Sequence, residues 1–219
     1  MARYELEKTF STEVELSDNV IEVSNMFGLG TRRDRPVTVL EKCQVDIQPG
    51  QVVYITGGSG AGKSILLRLL KEQLGQAVDL NELELPSEKP LVDCWEGIAL
   101  SEALYWLSLA GLSDAFALIK NPLQLSEGQR YRFRLAMALS KRPKVILIDE
   151  FCATLDRITA AVVANNVRKF AYQYNTTFIV ATSHDDLLED LSPDVVVIKH
   201  LGSGCDVYYP RNFEGNEPV

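Results

Sequence analysis

The chain has 219 residues, 46% of them apolar and 24% charged, which excludes a disordered segment and suits one compact globular unit. Its formal net charge of -8 at pH 7 disfavours a protein that coats a nucleic-acid backbone, while leaving a local basic patch open. No apolar run approaches the roughly 18–20 residues that span a bilayer, and the opening MARYELEK lacks the apolar heart of a secretion signal. A cytoplasmic protein is expected, with no direct membrane insertion, so that any dealing with membranes goes through a partner. Cys43, Cys94, Cys152 and Cys205 stand far apart with no Cys-x-x-Cys pair. Buried free thiols are expected, rather than a zinc site or a disulfide frame.

In chain order, residues 3–23 alternate apolar and polar side chains around Val14 and Leu16, then Ile21 and Val23, which predicts two half-exposed strands. GLGTRRDRP at 28–36 is rich in turn formers and charge and reads as an exposed connection. Strands are predicted at 37–40 and 43–47. After the Pro49-Gly50 turn, QVVYIT at 51–56 is the near-continuous apolar run of a buried strand. A helix over 63–74 follows, with Ile65, Leu66, Leu69 and Leu70 on one side. Residues 75–97 read as strand and loop. Two short amphipathic helices fit 99–110 and 113–120, parted by Gly111 with Ser113 as N-cap. A third helix runs from after Leu125 to about residue 140. Buried strands are predicted at 144–149, 176–182 and 194–199, with a helix over 157–174. Strands alternating with helices predict an α/β fold: a mainly parallel sheet with flanking helices, preceded by an antiparallel β subdomain. The whole chain, 1–219, reads as one unit carrying a short helical insert at about 97–142.

Gly57-Gly58-Ser59-Gly60-Ala61-Gly62-Lys63-Ser64 fits G-x-x-x-x-G-K-[S/T] and lies between a buried strand and a helix, the setting that motif requires. Glycines let backbone N–H groups curl round phosphate oxygens, and the helix N-terminus adds partial positive charge. Lys63 is expected to reach the β- and γ-phosphates and the Ser64 hydroxyl to ligate Mg²⁺. Taken alone, the loop leaves kinase, GTPase and ATPase open.

Further along, Leu125-Ser126-Glu127-Gly128-Gln129 precedes a basic helix, KVILIDE ends in Asp149 and Glu150, and Thr154-Leu155-Asp156 and Thr182-Ser183-His184-Asp185 follow. From Phe27 to His184 this order resembles the ATP-binding-cassette ATPases. The resemblance implies that ATP and Mg²⁺ are the cofactors, bound by the loop from Gly57 to Ser64 and Ile65. Asp149 would hold the metal, Glu150 would act as base or orient the attacking water, and His184 would hold that water against the γ-phosphate. Phe27 would lie against adenine. Ser126 and Gly128 would meet a nucleotide bound by the opposite subunit, with Asp156 at the boundary. An ATP-dependent homodimer is implied, because LSEGQ and the phosphate loop of one chain do not close one site.

Three departures from that family stand out. Glu127 occupies a position usually held by glycine, with its carboxylate expected to point away from phosphate. Phe151-Cys152 replaces a common Pro-Thr, which reads as altered packing with the chemistry intact, and Cys152 as a buried inert thiol. No glutamine closes the middle strand, where the family places a metal- and water-contacting one; in PLVDCWEG, Asp93 or Glu96 is the candidate substitute or else a solvated carboxylate. The short insert and these phrases also resemble a soluble branch often found beside a predicted acetyltransferase domain. The leading expectation is a nucleotide-dependent dimeric clamp acting on a soluble partner protein. The alternatives are the nucleotide-binding subunit of a membrane transporter and a DNA- or RNA-associated ATPase. The last rests on Arg32, Arg33 and Arg35 and on Arg130, Arg132, Arg134, Lys141, Arg142 and Lys144.

Overall fold

A computed structural model describes residues 2–13, 15–30, 34–183 and 186–210. Two long strands, β1 (Ala2–Glu13) and β2 (Asp34–Ile47), form an antiparallel ladder whose register runs from Ala2↔Ile47 to Glu13↔Asp34. The ladder shifts register on either side of Lys8, so β2 carries extra residues there and bends. The strands expected at 37–40 and 43–47 are therefore one bulged strand. The second strand expected before residue 23 is a helix, α1 (Asp18–Met26): the Ser17 hydroxyl accepts from the Val20 N–H at 3.3 Å. A capping serine nucleates a turn that the short alternation of Ile21 and Val23 does not contradict.

The second sheet has six strands in the order β4-β5-β6-β3-β7-β8. These are β3 (Val52–Thr56), β4 (Val78–Asp79), β5 (Val145–Ile148), β6 (Thr177–Ala181), β7 (Val195–Lys199) and β8 (Cys205–Tyr208). Neighbours from β4 to β7 run parallel, and β8 returns antiparallel to β7. Alternation along the strands divides the core in two. Val52, Tyr54, Ile146, Ile148, Phe178 and Val180 face a layer built from α3 (Leu100–Leu109), α5 (Glu127–Ser140) and α6 (Arg157–Tyr174). Val53, Ile55, Leu147, Ile179, Val195 and Val197 face α2 (Lys63–Leu74) and the inner side of the β1–β2 ladder. Each fully buried aliphatic or aromatic side chain contributes about 1.5–3 kcal/mol, so both faces are energetically committed.

The insert between β4 and α5 holds a 3₁₀ turn at Leu91–Asp93, α3, the short α4 (Ala115–Leu118) and a second 3₁₀ turn at Pro122–Gln124. The N-cap of α4 is Asp114, whose carboxylate accepts from the Phe116 N–H at 2.9 Å, rather than Ser113. Arg142 lies over the rings of Trp106 and Tyr174, with centroid distances of 5.4 and 5.2 Å, and pins the end of α5 to α3 and α6. A last short helix, α7 (Leu188–Leu191), precedes β7. Among the described residues no helix is long and apolar enough to cross a membrane.

One thiol expectation is corrected. Cys43 and Cys205 form a disulfide, with Cα atoms 6.1 Å apart across a sequence separation of 162. The pairing follows from packing: the inner face of β2 lies against β8, and spacing along the chain carries no trace of it. Cys94 and Cys152 are free.

Candidate functional site

The phosphate-binding candidate is built by backbone before side chains. Every residue of β3 is buried, which fixes the direction in which the chain leaves at Thr56. Gly57 has φ 141°, and a Cβ there would drive into the carbonyl of Lys199; Gly62 has φ 100°, and a Cβ there would lie 2.9 Å from Val39 Cγ1. Both conformation and space require glycine at these two points. α2 then starts at Lys63 with Gly62 as its cap, a residue with no side chain to satisfy the first turn. Its N–H groups and partial positive charge are thereby left for an anion. The Lys63 ammonium donates to the carbonyls of Gly57 and Gly58 at 2.8 and 3.0 Å, drawing the cation onto the loop.

A cavity of about 310 Å³ opens over this loop. Ser59, Gly60, Gly62, Lys63, Ser64 and Ile65 line one side. Asp149 and Glu150 enter from the end of β5, and Thr182 and Ser183 from the end of β6. The parallel register Val53↔Ile179 and Ile148↔Val180 brings these strand ends to one edge, as open α/β sheets do. Glu150 has φ 54°, a costly conformation for a non-glycine residue and typical of functional positions. Its N–H donates to Asp149 Oδ1 at 3.1 Å, which holds the Asp149 carboxylate against the Glu150 backbone. Gly57, Gly58 and Ala61 shape the loop without lining the cavity; the Ala61 N–H closes an internal turn to the Gly58 carbonyl at 3.1 Å. His184 lies outside the described residues; Ser183 before it lines the cavity.

Sequence reasoning missed the next part. A second cavity of about 230 Å³ shares Ser64, Arg68 and Asp149 with the first and adds Lys71, Asp79, Asn81 and Glu82. The middle strand is β4, two residues long, and Asn81 and Glu82 follow its end. Lys71 of α2 pairs with Asp79 at 2.9 Å and Glu82 at 2.6 Å, and the Asn81 N–H donates to Asp79 Oδ1 at 3.0 Å. An asparagine and a glutamate thus stand beside Ser64 and Asp149 at the end of this strand. Asp93 ends a 3₁₀ turn, and Glu96 pairs with Lys89 on the surface. PLVDCWEG is no strand, and a two-residue β4 with one apolar side chain leaves no periodic signal to find.

The remaining predicted residues form a separate face. Ser126 caps α5: its hydroxyl accepts from the Gln129 N–H at 3.3 Å, and Gln129 Oε1 accepts from the Ser126 N–H at 3.1 Å. Glu127 occupies the first turn of α5, where its carboxylate complements the helix dipole. A Cβ on Gly128 would stand 3.0 Å from the Thr154 carbonyl, so LSEGQ packs against the segment leading to Asp156. Asp156 caps α6 through the Thr159 N–H and hydroxyl, and these bonds lower its pKa. Neither this face nor Phe27 lines the cavity over the loop; Phe27, at the end of α1, is 74% exposed.

Phe151 and Cys152 are buried, and burial pushes the Cys152 thiol up to about 12, which disfavours the thiolate. Three of the arginines behind the nucleic-acid reading make structural contacts. Arg130 donates to the Pro122 and Leu125 carbonyls, Arg132 to those of Gly128 and Gly111, and Arg142 stacks on aromatic rings. Arg32 and Arg33 lie outside the described residues.

The fold and its cavity define a phosphate-loop nucleotide-binding protein, and residues 46–189 match the family model described as an AAA domain. The chain is 31% identical over 184 residues to the aliphatic sulfonates import ATP-binding protein SsuB of Granulibacter bethesdensis, covering 74% of each. It is 28% identical over 207 residues to the nitrate transport protein NasD of Klebsiella oxytoca, covering 78% of this chain and 79% of that one. It also matches a dimeric post-hydrolysis structure of the ATP-binding cassette MJ0796 bound to ADP and Pi. That match has a TM-score of 0.64 at 18% identity, over 93% of this chain and 97% of that one. The chain belongs to the ATP-binding-cassette ATPases, and it is an ATP hydrolase.

Proposed function

We propose that this chain is the nucleotide-binding subunit of a membrane import system, working as an ATP-dependent homodimer. The observation that carries the nucleotide chemistry is the cavity shared by Lys63, Ser64, Asp149 and Glu150. Lys63 and the α2 N-terminus would hold the β- and γ-phosphates. The Ser64 hydroxyl and Asp149 carboxylate are hard oxygen donors in one cleft and suit Mg²⁺, which would neutralise phosphate charge. Glu150 would take the proton of the attacking water or hold it in line, and His184 would brace the same water. Phe27, exposed at the end of α1, is free to lie against an adenine ring.

The dimer is supported by the separation of the LSEGQ face from the loop cavity. With Ser126, Gly128 and Asp156 on another surface, a second copy arranged head to tail would complete each site. ATP would then hold the two together and hydrolysis would release them. The MJ0796 structure is itself dimeric.

Two observations turn the reading from a soluble partner towards a membrane one. The relatives named above are an import ATP-binding protein and a transport protein. The insert also exposes the large apolar side chains of Leu100, Phe116, Ile119 and Leu123, which would offer apolar contacts to a docking partner. The soluble-clamp and acetyltransferase-linked readings have no such support.

The test is an affinity capture from a native membrane extract with the Glu150→Gln protein held in MgATP. An ATP-dependent mass doubling in light scattering and recovery of a polytopic membrane protein are expected. A monomer at saturating MgATP would remove the dimer, and recovery of a soluble protein alone would restore the clamp reading.

A further inference from the structure

β7 ends in a buried cation that the nucleotide chemistry above does not use. Lys199 is 1% exposed. The register Thr56↔Ile198 brings Lys199 level with Gly57, the first residue of the phosphate loop. Its carbonyl occupies the space that a Cβ on Gly57 would need. Its side-chain stem runs to the other end of the loop, where Cε would lie 3.8 Å from a Cβ on Gly62. Lys199 therefore lies under both glycines whose conformations define the loop.

The ammonium is held as firmly as the stem. It donates to the carbonyls of His200 and Gly202, both at 2.7 Å, and so closes the turn between β7 and β8. That turn is braced from three sides. The Glu41 N–H donates to the Ser203 carbonyl at 2.8 Å, and the His200 N–H to the Gly204 carbonyl at 3.1 Å. Cys205, the register partner of Lys199, is bonded to Cys43 of β2.

Burying an ammonium is costly, and a leucine or methionine would fill the same space without that cost. Burial accordingly lowers the Lys199 pKa. Among the described residues the ammonium bonds two carbonyls and forms no ion pair, so carbonyl dipoles alone offset its positive charge beneath a loop shaped for phosphates.

We propose that Lys199 is a positioning residue for nucleotide binding: it fixes the floor of the loop from Gly57 to Gly62, and its charge favours the polyphosphate. The proposal rests on the loop being the nucleotide site. It predicts a loss that scales with phosphate number, which a purely structural role would not produce.

The experiment displaces a fluorescent ATP analogue from the full chain with ATP, ADP and AMP. Lys199→Met should weaken ATP about tenfold, ADP less and AMP least, and Lys199→Arg, which keeps the charge, should preserve the parental ratio of ATP to AMP affinity to within about threefold. If the Met protein does not fold, Lys199→Gln removes the charge, keeps a donor and carries the same test. Equal losses for all three nucleotides, or ATP affinity within twofold of the parent, would overturn the proposal. A parent that loses no ATP affinity on Lys63→Ala would instead overturn the assignment of the loop.

Discussion

Arg168 and Asp194 offer the sharpest test of how the sheet is held together. Arg168 in α6 grips the Asp194 carboxylate with both terminal nitrogens, at 2.5 and 3.2 Å, and the two side chains are 16% and 6% exposed. The same carboxylate accepts from the Val52 N–H at 2.8 Å, and the Asp194 N–H donates to the Val52 carbonyl at 2.9 Å. One ion pair thus ties α6 to the starts of β3 and β7, the strands that carry the phosphate loop and Lys199. Arg168→Met leaves a buried carboxylate without its cation. Breaking a buried pair from one side costs about 3–5 kcal/mol, and the partial exposure of Arg168 favours the lower end. At about 2–4 °C per kcal/mol for a domain of this size, the melting temperature should fall by about 6–12 °C. Asp194→Asn keeps an acceptor for the Val52 N–H and should cost less, about 2 kcal/mol. The double variant should then lose less than the sum of the two. Urea unfolding followed by circular dichroism measures all four proteins, with the midpoint moving and the m-value constant. A loss under about 1 kcal/mol for Arg168→Met, or strict additivity, would refute the reasoning.

Replacing Cys43 and Cys205 together by Ala should lower stability by about 2–5 kcal/mol, since closure of so long a loop restrains the unfolded chain; unchanged urea midpoints would deny the bond a role. The free thiols predict an alkaline limit. Burial raises Cys94 from 9.0 to about 11 and Cys152 from 9.0 to about 12, so above pH 9 the folded chain holds more protons than the unfolded one. Stability should be intact below about pH 9 and fall as pH rises through 11–12, and a flat profile for the parent against Cys94→Ala and Cys152→Ala would contradict this. Asn81→Ala should cut turnover about 10- to 100-fold, the usual effect of losing a group beside a metal, if Ser64 and Asp149 hold Mg²⁺ as proposed, while ATP affinity stays within about threefold. Parental turnover in that variant would return Asn81 to the role of a turn residue.

Much of the phosphate site is legible without coordinates, because its chemistry is local. Glycine spacing, the apolar run before it and the lysine and serine after it specify strand, loop and helix in one continuous stretch, and α2 spans the residues read for it. The same holds for Asp149 and Glu150, which terminate an apolar run, and for Ser126 and Asp156, whose side chains cap the helices they precede. Short-range hydrogen bonding leaves a mark in the order of residues. α1 shows the limit of that rule, because a few alternating residues fit two periods and the Ser17 cap decides between them.

The sequence by itself therefore determined where the loop, its lysine and the carboxylate pair lie on their strands and helices. Only the tertiary structure decided that Asn81 and Glu82 stand beside Ser64 and Asp149, that Cys43 meets Cys205, and that Lys199 lies under Gly57. Each of those meetings is set by the order and register of strands far apart in the chain. Strand pairing depends on which faces bury together, and that is a property of the packed sheet rather than of any one segment.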